Sequence, residues 1–351
     1  MDLPTQLDQV SLPDPLPPLV LTVFTRPDLL EGVLEGLLQQ SLKPQQIIVY
    51  VDGPRHDRDA NLIQGTLALL HRFAEVLPLD IRPRFQNLGC DQNVIQAFTE
   101  VLATHEALVY LEDDDLPNPY FYDRLCRLLQ AYRHHPQVFS VSAYASFPEA
   151  VQPKLTWDFE VSHRVFSWGF AIWADRWQSI DLIHKPKQFN PFGEFFKIPA
   201  TVQTKMTLTN QFWLEKNGKT DWVITLTLAA LYQKRIHIIP QFSFVYNTGF
   251  DHPESKTYRG AAGNWVNSRY DQNFCPQTLP PTLDLREELQ QQITGIDLVK
   301  HLQKRGVWLN GSALIYFLRR YPDMGSMVAF LGLFFQRLPV LFRRWRGGLP
   351  L

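Results

Sequence analysis

Four consecutive carboxylates, Glu112-Asp113-Asp114-Asp115, follow an apolar run and precede a proline-containing turn in ALVYLEDDDLPNPYF. Acids packed this closely repel one another and pay to leave water, unless a cation sits among them. A divalent ion bridged to a diphosphate would neutralise both parties, so the run is a candidate site for Mn2+ or Mg2+ with a phosphorylated ligand. Asp113 and Asp114 are the first candidates. The competing reading is a solvated acidic loop or a helix N-cap, a role open to Asp115.

These acids need a frame, and the chain supplies one by alternation. Residues 19–25 (LVLTVFT) form a nearly continuous apolar run, as a buried parallel strand does, and Pro27 falls where a helix can start. Leu30, Val33, Leu34, Leu37 and Leu38 then recur at helical spacing, and residues 45–51 (QQIIVYV) give a second strand ending at Asp52-Gly53. Further helices are expected over 60–76 and 93–103, with strands over 81–85 and 107–111. This β-α alternation predicts a parallel sheet whose ligands bind at the carboxyl ends of its strands. Thr25-Arg26, Asp52-Gly53, Asn87-Leu88-Gly89 and the acidic run all fall at such ends. Beyond residue 140 the pattern becomes irregular, with aromatic strands near 166–173 and a helix over 222–233, and a mixed sheet is expected there.

Composition narrows the function classes. The chain has 351 residues, 45% hydrophobic, enough for one large core or two joined ones. With 34 basic and 35 acidic side chains the net charge is −1, which recruits no polyanion, so nucleic acid is not an expected partner. Cys90, Cys126 and Cys275 are too few and too far apart for a disulfide framework or a cysteine-built zinc site, and they suit a reducing, cytoplasmic setting. The first residues show no signal-peptide pattern, and no apolar run reaches the roughly 18 residues of a spanning helix.

Two stretches, NLGCDQNVIQAF and VYLEDDDLPNPYFYDRL, resemble inverting glycosyltransferases of the GT-A fold. The likeness is to a family 2-like bacterial group with an N-x-G-C segment leading into L-E-D-D-x-L-P, and to the N-acetylglucosaminyltransferases that begin complex N-glycans. The resemblance implies an α/β fold with a mixed central sheet and a metal-dependent transfer of a hexosyl or N-acetylhexosaminyl group from a nucleotide-diphospho-sugar. By it, Glu112 and Asp113 face the nucleotide or the metal's water shell, and Asp114 coordinates the cation. Arg26 matches an arginine that meets the diphosphate, Asp52 an acid that holds the nucleotide, and Thr25, Asn87 and Gly89 line the same edge. An Asp-Gly turn such as Asp52-Gly53 is also ordinary loop chemistry.

FSWGFAIWADRW resembles the group's segment beneath sugar and acceptor. This makes Trp168 and Gly169 candidates for the sugar pocket, with Trp168 either a stacking platform or a core residue. Asp221-Trp222 matches a pair whose acid is the catalytic base, so Asp221 is the candidate base and Trp222 its pocket neighbour; Asp221 as a plain helix cap is the alternative. NTGFDHPES resembles a further segment in which His252 stands earlier than the pattern has it, and His252 is either a pocket residue or a surface histidine.

The implied organisation is an arm over 1–17, a transferase domain over 18–275 divided into a nucleotide-sugar half (18–140) and an acceptor half (141–275), and a helical C-terminal appendage over 276–351. The expected acceptor is a glycan, glycolipid or protein, as in polysaccharide biosynthesis. Within the appendage, residues 324–351 combine apolar side chains with Arg337, Arg343, Arg344 and Arg346, a composition suited to peripheral contact with the inner face of a membrane, the competing reading being a plain amphipathic helix packed on the catalytic domain. Two other readings remain: a sugar-1-phosphate nucleotidyltransferase, against which stands the lack of a glycine-rich loop in TRPDLLEG, and a catalytically silent carbohydrate-binding relative.

Overall fold

A computed structural model describes residues 3–147, 149, 151–180, 204–205, 208, 222–255, 260–264, 266–286, 289, 293–304, 309 and 311–336. The chain divides into two compact units, Met1–Pro186 with Asp221–Leu289, and Lys187–Thr220 with Gln290–Leu351.

The first unit is a mixed α/β structure. Its strands are β1 (Leu19–Val23), β2 (Ile47–Val51), β3 (Leu79–Pro83), β4 (Ala107–Glu112), β5 (Asp115–Pro117), β6 (Val138–Ser142), β7 (Phe159–Ser162), β8 (Phe170–Trp173), β9 (Ile236–Pro240) and β10 (Val245–Asn247). Eight of them form one sheet in the order β3-β2-β1-β4-β8-β6-β9-β7. The first four are parallel, as alternation requires. β8 runs antiparallel to both β4 and β6, while β6 and β9 are parallel and β7 closes the edge antiparallel to β9. A small second sheet pairs β5 with β10. β1 and β2 are buried throughout, which explains their unbroken apolar sequence.

Helices α1 (Pro27–Leu38), α2 (Asp57–Phe73), α3 (Gly89–Val101) and α4 (Phe121–Tyr132) fill the crossovers, followed by α5 (Ala174–Gln178) and α6 (Val223–Tyr232). In α1 the buried residues are Leu30, Val33, Leu34 and Leu37, the face that the periodicity marks. Several boundaries shift by two to four residues from those expected, β3 to Leu79–Pro83 and α2 to Asp57–Phe73 among them, and two of the shifts bear on the site. The strand expected from 166 starts only at Phe170, because Gly169 has φ +66 and interrupts the extended chain. A Cβ there would also lie within 2.9 Å of Ala143, Phe121 and Val245, so glycine is required on both counts. α3 starts four residues early, at Gly89, with consequences described below.

The amino-terminal arm is bound rather than loose. Leu7 is buried and its N–H donates to the Gln277 carbonyl at 2.7 Å, and Leu279 N–H donates to Thr5 at 3.0 Å. Residues 276–286 therefore share this unit's hydrogen bonds.

The second unit contains α7 (Gly295–Lys304), α8 (Gly311–Arg320) and α9 (Met324–Phe335). Leu298, Leu302, Phe317, Phe330 and Leu333 make its core, with Phe317 and Phe330 stacked at 5.0 Å. Asp323 caps α9 by accepting from Ser326 N–H at 2.8 Å.

Candidate active site

The carboxyl ends of the parallel strands converge on one cavity of about 160 Å³. β1 and its following turn bring Thr22 to Arg26, β2 brings Asp52, the start of α3 brings Gly89, Cys90 and Asn93, and β4 brings Glu112, Asp113 and Asp114. The part of this unit beyond β6 adds Trp168, Asn247, Glu254 and Ser255. The turn between β1 and α1 is only Phe24-Thr25-Arg26, since Pro27 already occupies the first helical turn. This shortness delivers the Arg26 side chain over the end of β4.

Arg26 pairs with both central acids. Its Nη1 donates to Asp114 Oδ2 at 2.7 Å, and its Nη2 and Nε donate to Asp113. Burial alone would lower the guanidinium's pKa, yet Asp113 and Asp114 more than offset it, and Arg26 stays charged. One cation does not neutralise the run. Burial raises the Asp114 carboxyl above its ordinary range despite Arg26, and Asp113 adds to the rise. Burial likewise pushes Glu112 and Asp115 well up, with Asp115 and Asp114 adding to the first and Asp114 to the second. Asp114 Oδ1 and Asp115 Oδ2 are buried atoms without a hydrogen-bond partner. The run is thus short of positive charge and of donors.

Among the described residues no group of three or more His, Cys, Asp or Glu side chains could hold a metal ion by itself. The orphaned oxygen of Asp114 nevertheless fits a cation that takes one or two carboxylates from protein and the rest of its shell from phosphate and water, as Mg2+ commonly does.

β10 and the loop after it clamp the acids from the other side. β10 runs antiparallel to β5, so Asn247 faces Asp115 and its Nδ2 donates to Asp115 Oδ1 at 2.9 Å. Thr248 donates from both its N–H, at 2.8 Å, and its hydroxyl, at 3.0 Å, to the Asp114 carbonyl. Asn267 holds Asn247 in turn: it accepts from Asn247 N–H at 3.1 Å and donates to the Asn247 carbonyl at 2.9 Å. Gly249 comes so close that a Cβ would stand 1.8 Å from Asp114 Oδ2. Neither Asn247 nor Gly249 is marked as a site residue by the sequence pattern. The available signal is N-T-G at the end of a strand, with Asn247 its last residue.

Asp52 behaves differently from Asp114. Its Oδ1 accepts from Gly53 and Leu88 N–H at 2.9 and 2.8 Å, and its Oδ2 from Asn87 Nδ2 and Gly89 N–H at 2.9 and 3.0 Å. Four donors occupy the acceptor capacity of the carboxylate. Asp52 therefore anchors the 87–89 turn and sets the early start of α3, with anionic charge at the helix N-terminus as the dipole favours. Asn87 serves this anchor and is outside the cavity lining.

The remaining candidates separate clearly. Trp168 lines the cavity, edge-on to Tyr144 at 4.6 Å. Gly169 lies behind it and acts through backbone geometry, its N-terminal neighbour alone reaching the lining. Trp222 is a core residue, ringed by Phe98, Tyr110, Phe170 and Trp177 with centroids 5.5 to 6.5 Å away. His252 also differs from the pocket expectation: its Nε2 meets Asp28 of α1 at 3.0 Å, and its Nδ1 accepts from Glu254 N–H at 3.1 Å. It shapes the turn that carries Glu254 and Ser255 to the cavity. Glu254 is tied to Arg58 at 3.0 Å and Arg55 at 3.6 Å. Asp221 lies outside the described residues.

No family model matches the chain. Over 131 residues it is 29% identical to the amylovoran biosynthesis glycosyltransferase AmsE of Erwinia amylovora, a match covering 37% of this chain and 45% of that protein. Over that stretch the chain is a sequence relative of a glycosyltransferase, and it spans less than half of the relative's length. Among solved structures it is similar to the mannosyltransferase PcManGT from Pyrobaculum calidifontis in complex with GDP-Man and Mn2+ (18% identity, 48% of this chain and 47% of that one, TM-score 0.34). It is also similar to S. aureus TarS 1-349 (12%, 66% and 60%, TM-score 0.37) and to a UDP-glucose pyrophosphorylase complexed with UDP-glucose (10%, 66% and 92%, TM-score 0.36).

Proposed function

We propose that the chain is a glycosyltransferase that moves a sugar from a nucleotide-diphospho-sugar to an acceptor hydroxyl with the help of Mn2+ or Mg2+. One observation carries the reading: Arg26, Asp113 and Asp114 meet at a cavity formed by strand ends, and Asp114 keeps a buried oxygen without a partner. Sequence relationship to AmsE, whose name assigns it to amylovoran biosynthesis, supports the class and a polysaccharide-type acceptor. Glycolipid and protein acceptors fit the same chemistry.

The residues take the following roles. Asp114, with Asp113 beside it, would hold the cation, which would offset the diphosphate charge as the sugar bond breaks. Arg26 keeps its charge at the same point and stabilises the leaving diphosphate. Asp52, Asn87 and Gly89 fix the nucleotide-side wall, with Thr25 and Glu112 lining its floor. Trp168 offers an apolar face to the sugar. Asp221 takes the proton from the acceptor hydroxyl while that oxygen attacks the anomeric carbon and the diphosphate departs, a single displacement that inverts the centre. Nucleotidyl transfer is the weaker reading, since Phe24-Thr25-Arg26 leaves no room for a glycine-rich triphosphate loop.

The test is calorimetric titration of a nucleoside-diphosphate panel, with and without Mn2+, on wild type and Asp114→Ala. The expected result is Mn2+-dependent binding of one base, lost in the variant. Binding that ignores both the metal and the substitution would overturn the reading. Mn2+-dependent hydrolysis of the matching nucleotide-sugar would exclude a silent relative.

A further inference from the structure

α9 is apolar on every side, unlike its neighbours. Ser326, Phe330 and Leu333 are its buried residues. On the other side Met324 is 73% exposed, Val328 62%, Leu331 37% and Phe335 54%. At 3.6 residues per turn these four fall within an arc of about 60°, one uninterrupted stripe along the helix. Gly325 and Gly332 flank it without covering it, and Ile296 of α7, itself 40% exposed, stands beside Gly325. α7 in contrast exposes Asp297, Lys300, Gln303 and Lys304, the ordinary polar face of a surface helix.

Single exposed apolar residues need no explanation, but a contiguous stripe on a helix of this composition marks a surface meant to be covered. Charge selects the cover. After Asp323 the sequence contains no acidic residue, and it carries Arg337, Arg343, Arg344 and Arg346 among Leu338, Leu341, Phe342 and Trp345. These residues lie outside the described ones and enter by sequence alone. Arg319 and Arg320 end α8, exposed, shortly before α9 begins. Apolar anchors interleaved with arginines match acyl chains beneath anionic headgroups better than a protein face. α9 is about 18 Å long at 1.5 Å per residue, well short of the roughly 30 Å hydrocarbon thickness. Among the described residues no helix is long and apolar enough to cross a membrane.

We propose that the Met324–Val328–Leu331–Phe335 face of α9 lies in the interface of an anionic lipid bilayer, with the arginines that follow it in sequence binding the headgroup phosphates. This is independent of the proposed reaction and would bring the chain to lipid-borne acceptors.

The experiment is co-sedimentation of the full chain with phosphatidylglycerol-containing vesicles or with pure phosphatidylcholine vesicles. Wild type should pellet with the first, weakly with the second, and be released by salt. Val328→Asp combined with Leu331→Asp, both at exposed positions, should weaken binding at least tenfold with an unchanged melting temperature. Arg343→Gln with Arg344→Gln should weaken it roughly thirtyfold, at about 1 kcal/mol per arginine near an anionic surface. The arginine pair keeps the idea falsifiable if the aspartates disturb folding. Equal pelleting of wild type and both variants overturns the proposal. So does a wild type that ignores vesicles but forms a dimer that the aspartate variant dissociates, which would make the stripe a contact between copies.

Discussion

Asp52 and Asp114 stand at the carboxyl ends of two strands that flank β1, both buried, both lining the same cavity. Their surroundings are opposite. Asp52 accepts four hydrogen bonds from its own turn and the start of α3, whereas Asp114 has Arg26 on one oxygen and nothing on the other. A satisfied buried carboxylate stabilises the fold, and an unsatisfied one costs stability that only a ligand can return. On the proposed reading, what separates an anchor from a ligand-binding group is therefore the supply of donors, which neither residue type nor strand position reveals.

The sharpest way to break this contrast is to remove one charge at a time. Asp114→Asn should abolish Mn2+-dependent nucleotide binding, by 100-fold or more as for loss of a key electrostatic group, with a melting temperature no lower than wild type. Asp52→Asn should do the reverse. Its new amide opposes two donors, at about 1–3 kcal/mol, so the melting temperature should fall by several degrees while affinity changes by less than tenfold. Calorimetry and thermal unfolding of the two variants side by side decide it. Exchanged phenotypes would mean that Asp52 reads the nucleotide and that Asp114 is structural.

An intermediate effect is expected at Gly249, where the contrast can be probed without touching any acid. Gly249→Ala sets a Cβ 1.8 Å from Asp114 Oδ2 and 3.1 Å from Arg26 Nη1, so the carboxylate must shift. Overpacking of this kind costs about 1–3 kcal/mol. Metal-dependent affinity should drop roughly tenfold with a modest fall in melting temperature. An unchanged affinity would show that the exact seat of Asp114 does not matter for the ligand.

How much of this was legible in the sequence follows the same physics. The apolar runs of β1, β2 and β4 and the spacing of Leu30, Val33, Leu34 and Leu37 located the parallel part of the sheet and its first crossover helix, because burial on both sheet faces leaves an unmistakable pattern. The strand-end rule then led directly to Arg26, Asp52 and the acidic run. It could not reveal that Asp52 is saturated, since three of its four partners are the backbone N–H groups of Gly53, Leu88 and Gly89, which any sequence would supply. Nor could it find the clamp, because β10 meets β5 across more than a hundred residues and Asn267 acts through a two-point bond to the Asn247 backbone. Trp168 and Trp222 look alike in sequence; one reaches the cavity and the other fills the core because of tertiary packing alone.

His237 offers the smallest effect at neutral pH and a control for the whole argument, being a buried group with an unpartnered atom that is not part of the site cavity's lining. Its Nδ1 meets Ser140 Oγ at 2.7 Å, while its Nε2 is buried without a hydrogen-bond partner. Burial, with nearby His163 adding, depresses its pKa from 6.5 to about 3. Between those values the unfolded chain binds a proton that the folded chain refuses. Stability from this site is thus complete above about pH 6.5 and declines as pH falls toward 3, by up to about 1.4 kcal/mol per unit. His237→Gln should flatten that acid limb in urea unfolding series between pH 4 and 7, and leave nucleotide affinity at pH 7 unchanged. A variant as acid-sensitive as wild type would place the sensitivity elsewhere. Lost nucleotide affinity would mean that an unsatisfied buried group governs the ligand even when it is remote from it, and the distinction drawn between Asp114 and Asp52 would no longer hold.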